Sequence, residues 1–224
     1  MKNPVFAFVV DILGILVTAL ALSLLIKAFI IRSFYIPSGS MENTLLINDR
    51  IVVNELVPNI VPVERGDVVV FRDPGGWLGP IATQQVPWYT QATDFVLSAF
   101  GVTAPDSDVH LVKRVIGIPG DHVKCCSPQG KIMINGVAIT EPYVIHGATP
   151  SDVDFSVTVP RDSYWVMGDN RNNSEDSRFH LDLPTKGFVA KQYIVGRAFM
   201  VTWPFPHFKW LDNYGDVFKN VPNK

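Results

Sequence analysis

The first chemistry the chain offers is a pair of hydroxyls behind a proline. In "FYIPSGSMENTL", Phe34 to Leu45, Ser38 and Ser40 flank Gly39 just after Pro37, and each of these residue types favours a turn for its own backbone or side-chain reason. A serine on such a turn becomes a nucleophile only if a base accepts its proton, and this stretch holds none. Three other segments carry concentrated polar chemistry: "GDVVVF" at 66–71, "KRVIGIPGD" at 113–121 and "GDNRNNSEDSR" at 168–178.

The middle segment sets Lys113 beside Arg114 on an apolar strand. Strand side chains alternate between faces, so one of the two is expected to turn inward. Burial disfavours an ammonium, lowers its pKa and makes a lysine a candidate base at neutral pH. The other arrangement, Lys113 in water and Arg114 paired inside, satisfies the same pattern. In the last segment the density of Asp, Asn, Ser and Gly suits an ordered polar loop, with Asp176 and Arg178 close enough to pair.

Other reactive systems have less support. The five histidines (110, 122, 146, 180 and 207) are scattered and form no HExxH motif, although a serine triad can be assembled from distant residues. The two cysteines, Cys125 and Cys126, are adjacent, too few for a zinc cluster and wrongly spaced for a CxxC redox pair. A vicinal disulfide and two reduced thiols both remain open. A formal charge of −2 argues against a nucleic-acid partner, which needs clustered Lys and Arg.

These residues need elements to hold them. Val5 to Ile26 is an apolar run of 22 residues interrupted only by Asp11; as a helix it would reach about 33 Å, against a hydrocarbon core of about 30 Å. We expect a transmembrane anchor over 1–32. The triplet Ala19-Leu20-Ala21 lies inside the run, whereas a leader cleavage site would follow it. Lys27 and Arg32, with Phe34 and Tyr35, supply boundary residues, and charge counting alone leans towards a cytoplasmic carboxyl side.

Beyond the anchor, 33–224 reads as a mainly antiparallel β domain. Strands are expected near 50–56, 67–71, 110–118, 131–139, 155–159, 164–168 and 193–203, all rich in β-branched or aromatic residues. Asn135-Gly136 marks a hairpin turn. Residues 74–109 break the pattern and read as an insertion with a short helix at 93–101.

The four quoted segments, in this order behind an apolar run, resemble those of the bacterial type I signal peptidases, membrane-bound serine proteases with a Ser/Lys dyad. The insertion, the paired cysteines and the "WPFP" tail are most similar to actinobacterial members. The resemblance implies that Ser40 is the nucleophile and Lys113 its general base. It implies an oxyanion hole from the Ser38 hydroxyl and the Ser40 N–H, a lysine-orienting role for Ser174, and scaffold roles for Arg114, Asp169, Arg171, Asp176 and Arg178. Phe34, Ile36, Met41, Leu45 and Val112 flank these positions and are candidates for pocket walls that admit small side chains, an Ala-x-Ala rule. The implied partners are preproteins bearing signal peptides and the lipid bilayer. No cofactor, metal or nucleic acid is expected. The implied location is a bacterial cell membrane, single-pass, with the catalytic domain outside the cytoplasm, contrary to the charge count. Two rival readings are a self-cleaving Ser/Lys protease and a membrane-anchored β domain that binds a partner and catalyses nothing.

Overall fold

The computed structural model describes residues 4–79 and 109–223. The chain opens with helix α1, Pro4–Phe29. Side-chain exposure along it is described for 8–23, every residue of which is exposed. Among the described residues, no helix is long and apolar enough to cross a membrane.

Twelve strands follow among the described residues. They are β1 (Ile31–Tyr35), β2 (Arg50–Asn54), β3 (Val68–Arg72), β4 (His110–Gly117), β5 (His122–Cys125) and β6 (Met133–Ile134). After these come β7 (Val137–Ala138), β8 (Phe155–Thr158), β9 (Ser163–Met167), β10 (Val189–Ala190), β11 (Ile194–Trp203) and β12 (Lys209–Trp210). The larger sheet runs β1-β2-β11-β3-β4-β9-β10, with β12 on β11; the smaller runs β7-β6-β5-β8. Every pairing is antiparallel. A short helix, α2 (Gly215–Phe218), comes near the end.

The expected strands are all present, shifted by a residue or two at their ends. Residues 131–139 form the β6–β7 hairpin, where Asn135 (φ 51°) and Gly136 (φ 85°) take the two positive φ angles of the tight turn. The segment read as membrane boundary adds a strand the sequence reading lacked: "IRSFY" leaves α1 after a single residue and pairs with β2 as β1. The helix expected at 93–101 lies outside the described residues. Cys125 and Cys126 are joined as a vicinal disulfide.

The large sheet is covered on both faces, which explains its continuous apolar runs. On β3, Val68 and Val70 enter a cluster with Phe34, Ile51 and Val201, while Val69 and Phe71 enter another with Trp77, Val115 and Val166. A third cluster, around Ile116, Val123, Ile134 and Trp165, joins the small sheet to β4 and β9. The same double covering decides the question raised by Lys113 and Arg114. Alternation does send them to opposite faces, but both faces are closed: Lys113 is 3% exposed and Arg114 is 0% exposed. The arrangement with Lys113 in water is therefore overturned.

Candidate active site

Ser40 lies on a 3₁₀ turn, Gly39–Met41, that follows β1 after Ile36, Pro37 and Ser38, and all three residues of the turn are buried. Ser38 precedes it in extended backbone and is exposed; its hydroxyl stands 3.4 Å from Ser40 Oγ. The turn is tied down from across the molecule. The Asn170 N–H donates to the Ser40 carbonyl at 3.1 Å, and Asn170 Nδ2 donates to the Gly39 carbonyl at 3.1 Å and to Glu42 Oε2 at 2.9 Å. Glu42 folds back so closely that any Cβ at Gly39 would come within 2.8 Å of its Oε1. The next residue, Asn43, donates from Nδ2 to the Tyr143 carbonyl at 2.9 Å.

Lys113 comes from β4, whose neighbour β9 is in register with it at Arg114 and Met167. The polar loop at 168–178 leaves β9 at that point, so pairing alone delivers it beside Lys113 and Arg114. Lys113 Nζ is hydrogen-bonded to Ser40 Oγ at 2.6 Å. Burial pushes this ammonium down to about 8 from the usual 10.5. The nearby charges divide: Asp176, Asp169 and Glu175 favour the protonated form, whereas Arg178 opposes it. Desolvation prevails, and a lysine near 8 is partly neutral close to neutral pH.

Asp176 is the loop's centre. Its Oδ2 accepts from the Gly168 N–H at 2.9 Å, the Ser174 hydroxyl at 2.8 Å and Arg178 Nη2 at 2.9 Å. Its Oδ1 accepts from Arg178 Nε at 2.8 Å. Burial by itself would raise this carboxyl, but Arg178, the Gly168 N–H and the Lys113 charge hold it below the usual carboxylate range. The expected Asp176–Arg178 pair is thus present, with both side chains at 0% exposure. Ser174, expected to orient the lysine, thus directs its hydroxyl to the Asp176 carboxylate. Gly168 has to be glycine for steric reasons, since a Cβ there would collide with Ser174 Oγ and the Ser40 carbonyl.

Arg114 lies on the opposite face of β4 and serves the same turn. Its Nε and Nη2 donate to the Asp169 carboxylate at 2.9 and 2.7 Å, and Nη1 donates to the carbonyls of Gly66 at 2.6 Å and Asp212 at 3.1 Å. Asp169 Oδ2 also accepts from the Thr44 hydroxyl at 2.5 Å. The guanidinium lies 4.3 Å from the centre of the Tyr143 ring, a cation–π distance. Arg171, read as scaffold, reaches Glu141 Oε1 at 2.6 Å and the Gly168 carbonyl at 2.9 Å.

The structure therefore gathers Ser38, Ser40, Lys113, Arg114, Asp169, Ser174, Asp176 and Arg178 into one network, with Arg171 at its edge. The five apolar candidates also share one cluster, but Phe34, Ile36, Met41 and Leu45 are at most 2% exposed and belong to closed core. Val112 is only partly buried. Sequence reasoning missed Thr44, Gly168 and Asn170, although all three lie in quoted segments whose residue types invited a closer look. Glu141 and Tyr143 carried no signal, because their partners are distant in sequence. Among the described residues no group of three or more His, Cys, Asp or Glu is placed to hold a metal ion.

Comparison with known proteins gives this chain relatives along most of its length. A family model described as Signal peptidase, peptidase S26, matches residues 9–203. The chain is 36% identical over 192 residues to a probable signal peptidase I-2 of Synechocystis sp., covering 85% of this chain and 72% of that protein. It is 35% identical over 210 residues to signal peptidase I of Mycobacterium tuberculosis, covering 84% and 70%. With signal peptidase I S of Bacillus subtilis it shares 34% identity over 199 residues, covering 85% and 86%.

Proposed function

The chain belongs to the signal peptidase, peptidase S26, family, and from that premise we propose a mechanism in which Ser40 is the nucleophile and Lys113 the general base. The activity is that of a serine endopeptidase that removes signal peptides from preproteins. The observation that carries the residue assignment is the 2.6 Å contact between Lys113 Nζ and Ser40 Oγ in a buried setting.

In this mechanism neutral Lys113 takes the Ser40 proton as Oγ attacks the scissile carbonyl. The Ser40 N–H and the Ser38 hydroxyl meet the developing oxyanion; Asn170 supports this by fixing the carbonyls on either side of the Ser40 N–H, those of Gly39 and Ser40. Lys113 then protonates the leaving amine and, once neutral again, activates water to release the acyl group. Ser174 acts on the lysine through Asp176, whose carboxylate it helps to fix. A carboxylate relay is unnecessary because burial sets the base's pKa.

Specificity for small residues before the cut fits an enclosed site. Val112 is the candidate wall, with Phe34, Ile36, Met41 and Leu45 as the packed layer that keeps it rigid. A single membrane span is proposed from the sequence, where Val5 to Ile26 is an apolar run of 22 residues broken by one charge, and from the exposure of its apolar side chains Phe8 to Leu22. The catalytic domain would lie on the extracytoplasmic face, where exported preproteins emerge. The test is to incubate the purified full chain in detergent with a preprotein carrying Ala-x-Ala, then to sequence the new amino terminus. A single cut after the second Ala is expected; no processing, or cutting elsewhere, would refute the reading.

A further inference from the structure

The insertion that begins after β3 is rooted in the active-site loop. Asp73 accepts the backbone N–H groups of Gly75 at 2.8 Å, Trp77 at 3.0 Å and Leu78 at 3.0 Å. These three bonds close a turn that delivers Trp77 into the core, where it is 5% exposed. Its indole meets Phe71 edge-on at 5.6 Å and lies flat on the imidazole of His180, with centroids 4.3 Å apart and planes 5° from parallel.

His180 in turn bonds the loop that faces Lys113. Its Nδ1 is 2.7 Å from the Asp176 carbonyl. A carbonyl only accepts, so Nδ1 carries the proton and donates. The ring is thereby fixed by stacking on one face and by a buried hydrogen bond at its edge. On the same residue, Asp176, the side chain collects Ser174, Gly168 and Arg178. A continuous path of contacts runs from the root of the insertion to the groups around the proposed base, and nothing in the mechanism above uses its outer half.

We propose that Trp77 and His180 are positioning residues for signal-peptide cleavage: the indole–imidazole stack holds the Asp176 backbone, and through it the carboxylate that faces Lys113. The proposal rests on the reading of Lys113 as general base. Neither residue touches substrate or the reacting atoms, so loss of the stack should lower turnover without weakening substrate binding. It should also change how the base titrates. Asp176 is the foremost of the charges that favour the protonated lysine, alongside Asp169 and Glu175 and against Arg178; a carboxylate that drifts away lets the lysine lose its proton at lower pH.

The experiment is a pH profile of kcat and KM for a fluorogenic signal-peptide substrate, on the full chain in detergent. The variants are Trp77→Ala, His180→Phe, which retains a flat ring without a donor, and His180→Asn, which retains a donor near the Nδ1 position, with Lys113→Ala as control. The expected result is a roughly tenfold fall in kcat for Trp77→Ala and His180→Phe at unchanged KM, as small misplacements of reacting groups cost. The acid limb should move to lower pH, and His180→Asn should recover part of the loss, since its amide restores the donor to the Asp176 carbonyl but not the ring stacked on Trp77. An inactive Lys113→Ala with wild-type kcat and acid limb in both Trp77→Ala and His180→Phe would overturn the positioning role alone. An active Lys113→Ala would overturn the base assignment and this proposal with it. A fall in His180→Phe that His180→Asn does not relieve would make the hydrogen bond irrelevant and also overturn it.

Discussion

Lys113 Nζ and Ser40 Oγ meet at 2.6 Å although 73 residues separate them in sequence. The two arrive by different routes, Ser40 on the turn that follows β1 and Lys113 from the middle of β4. Because the lysine is buried on a covered sheet face, its proton is held weakly, and the contact joins a hydroxyl to a base that is available near neutral pH.

The first prediction concerns pH. With the lysine near 8, only about one-tenth is neutral at pH 7, so kcat/KM should rise about tenfold per unit below pH 8 and level off above it. Lys113→Arg should lose activity at every pH, since a guanidinium stays protonated. Stability has the opposite interest. Below about 8 both folded and unfolded lysine carry the proton, and the buried charge costs about 3 kcal/mol. Between 8 and 10.5 the unfolded chain binds a proton that the folded one does not, so stability should rise with pH. Lys113→Met should accordingly raise the denaturant midpoint at pH 7; a lowered midpoint would count against a destabilising buried lysine.

Ser38→Ala should lower kcat by about 10²-fold with little change in KM, the signature of a lost oxyanion donor. Ser38 is an exposed residue, so the unfolding midpoint should stay in place. A KM effect without a kcat effect would move Ser38 from transition-state stabilisation to substrate binding.

Ser174→Ala should reduce turnover more than it reduces stability. It removes one of the three side-chain and backbone groups that bond Asp176 Oδ2 while leaving the base itself. Steady-state kinetics beside denaturant unfolding separate the two effects; unchanged kinetics would show that the hydroxyl has no part in orienting the lysine.

Arg114→Met leaves Asp169 buried at 0% exposure without its charged partner. Breaking a buried pair from one side costs about 3–5 kcal/mol, so an early unfolding midpoint is expected, together with lost activity because Thr44 shares the Asp169 carboxylate. A midpoint within experimental error of wild type would mean that the pair is not what holds this side of the turn.

How much of this was legible beforehand follows from where each signal lies. Strands β2, β3, β4, β9 and β11 were readable because their apolar runs are long and bounded by turn residues, and the β6–β7 hairpin was readable from Asn135-Gly136. Strand β1 was not, since "IRSFY" carries the charge and aromatic content of a membrane boundary and reveals itself only by pairing with β2. Ser40, Lys113 and the polar loop stood out as segments, but residue types alone left Lys113 between water and core. That choice depended on the covering of both sheet faces, a tertiary fact. Asn170 clamps backbone carbonyls and Tyr143 packs on a guanidinium; such roles exist only once distant strands are brought together. For the apolar flanking residues, nearness in sequence to Ser40 says nothing of depth: Phe34, Ile36, Met41 and Leu45 are buried in one cluster, and Val112 is only partly buried.

The most direct test is preprotein cleavage by purified full-length Ser40→Ala and Lys113→Ala in detergent, measured beside circular dichroism of each variant. The predicted result is loss of at least about 10³-fold in kcat/KM for both with native-like spectra, since nucleophile and base act as a unit. Near-wild-type cleavage by either folded variant would contradict the account.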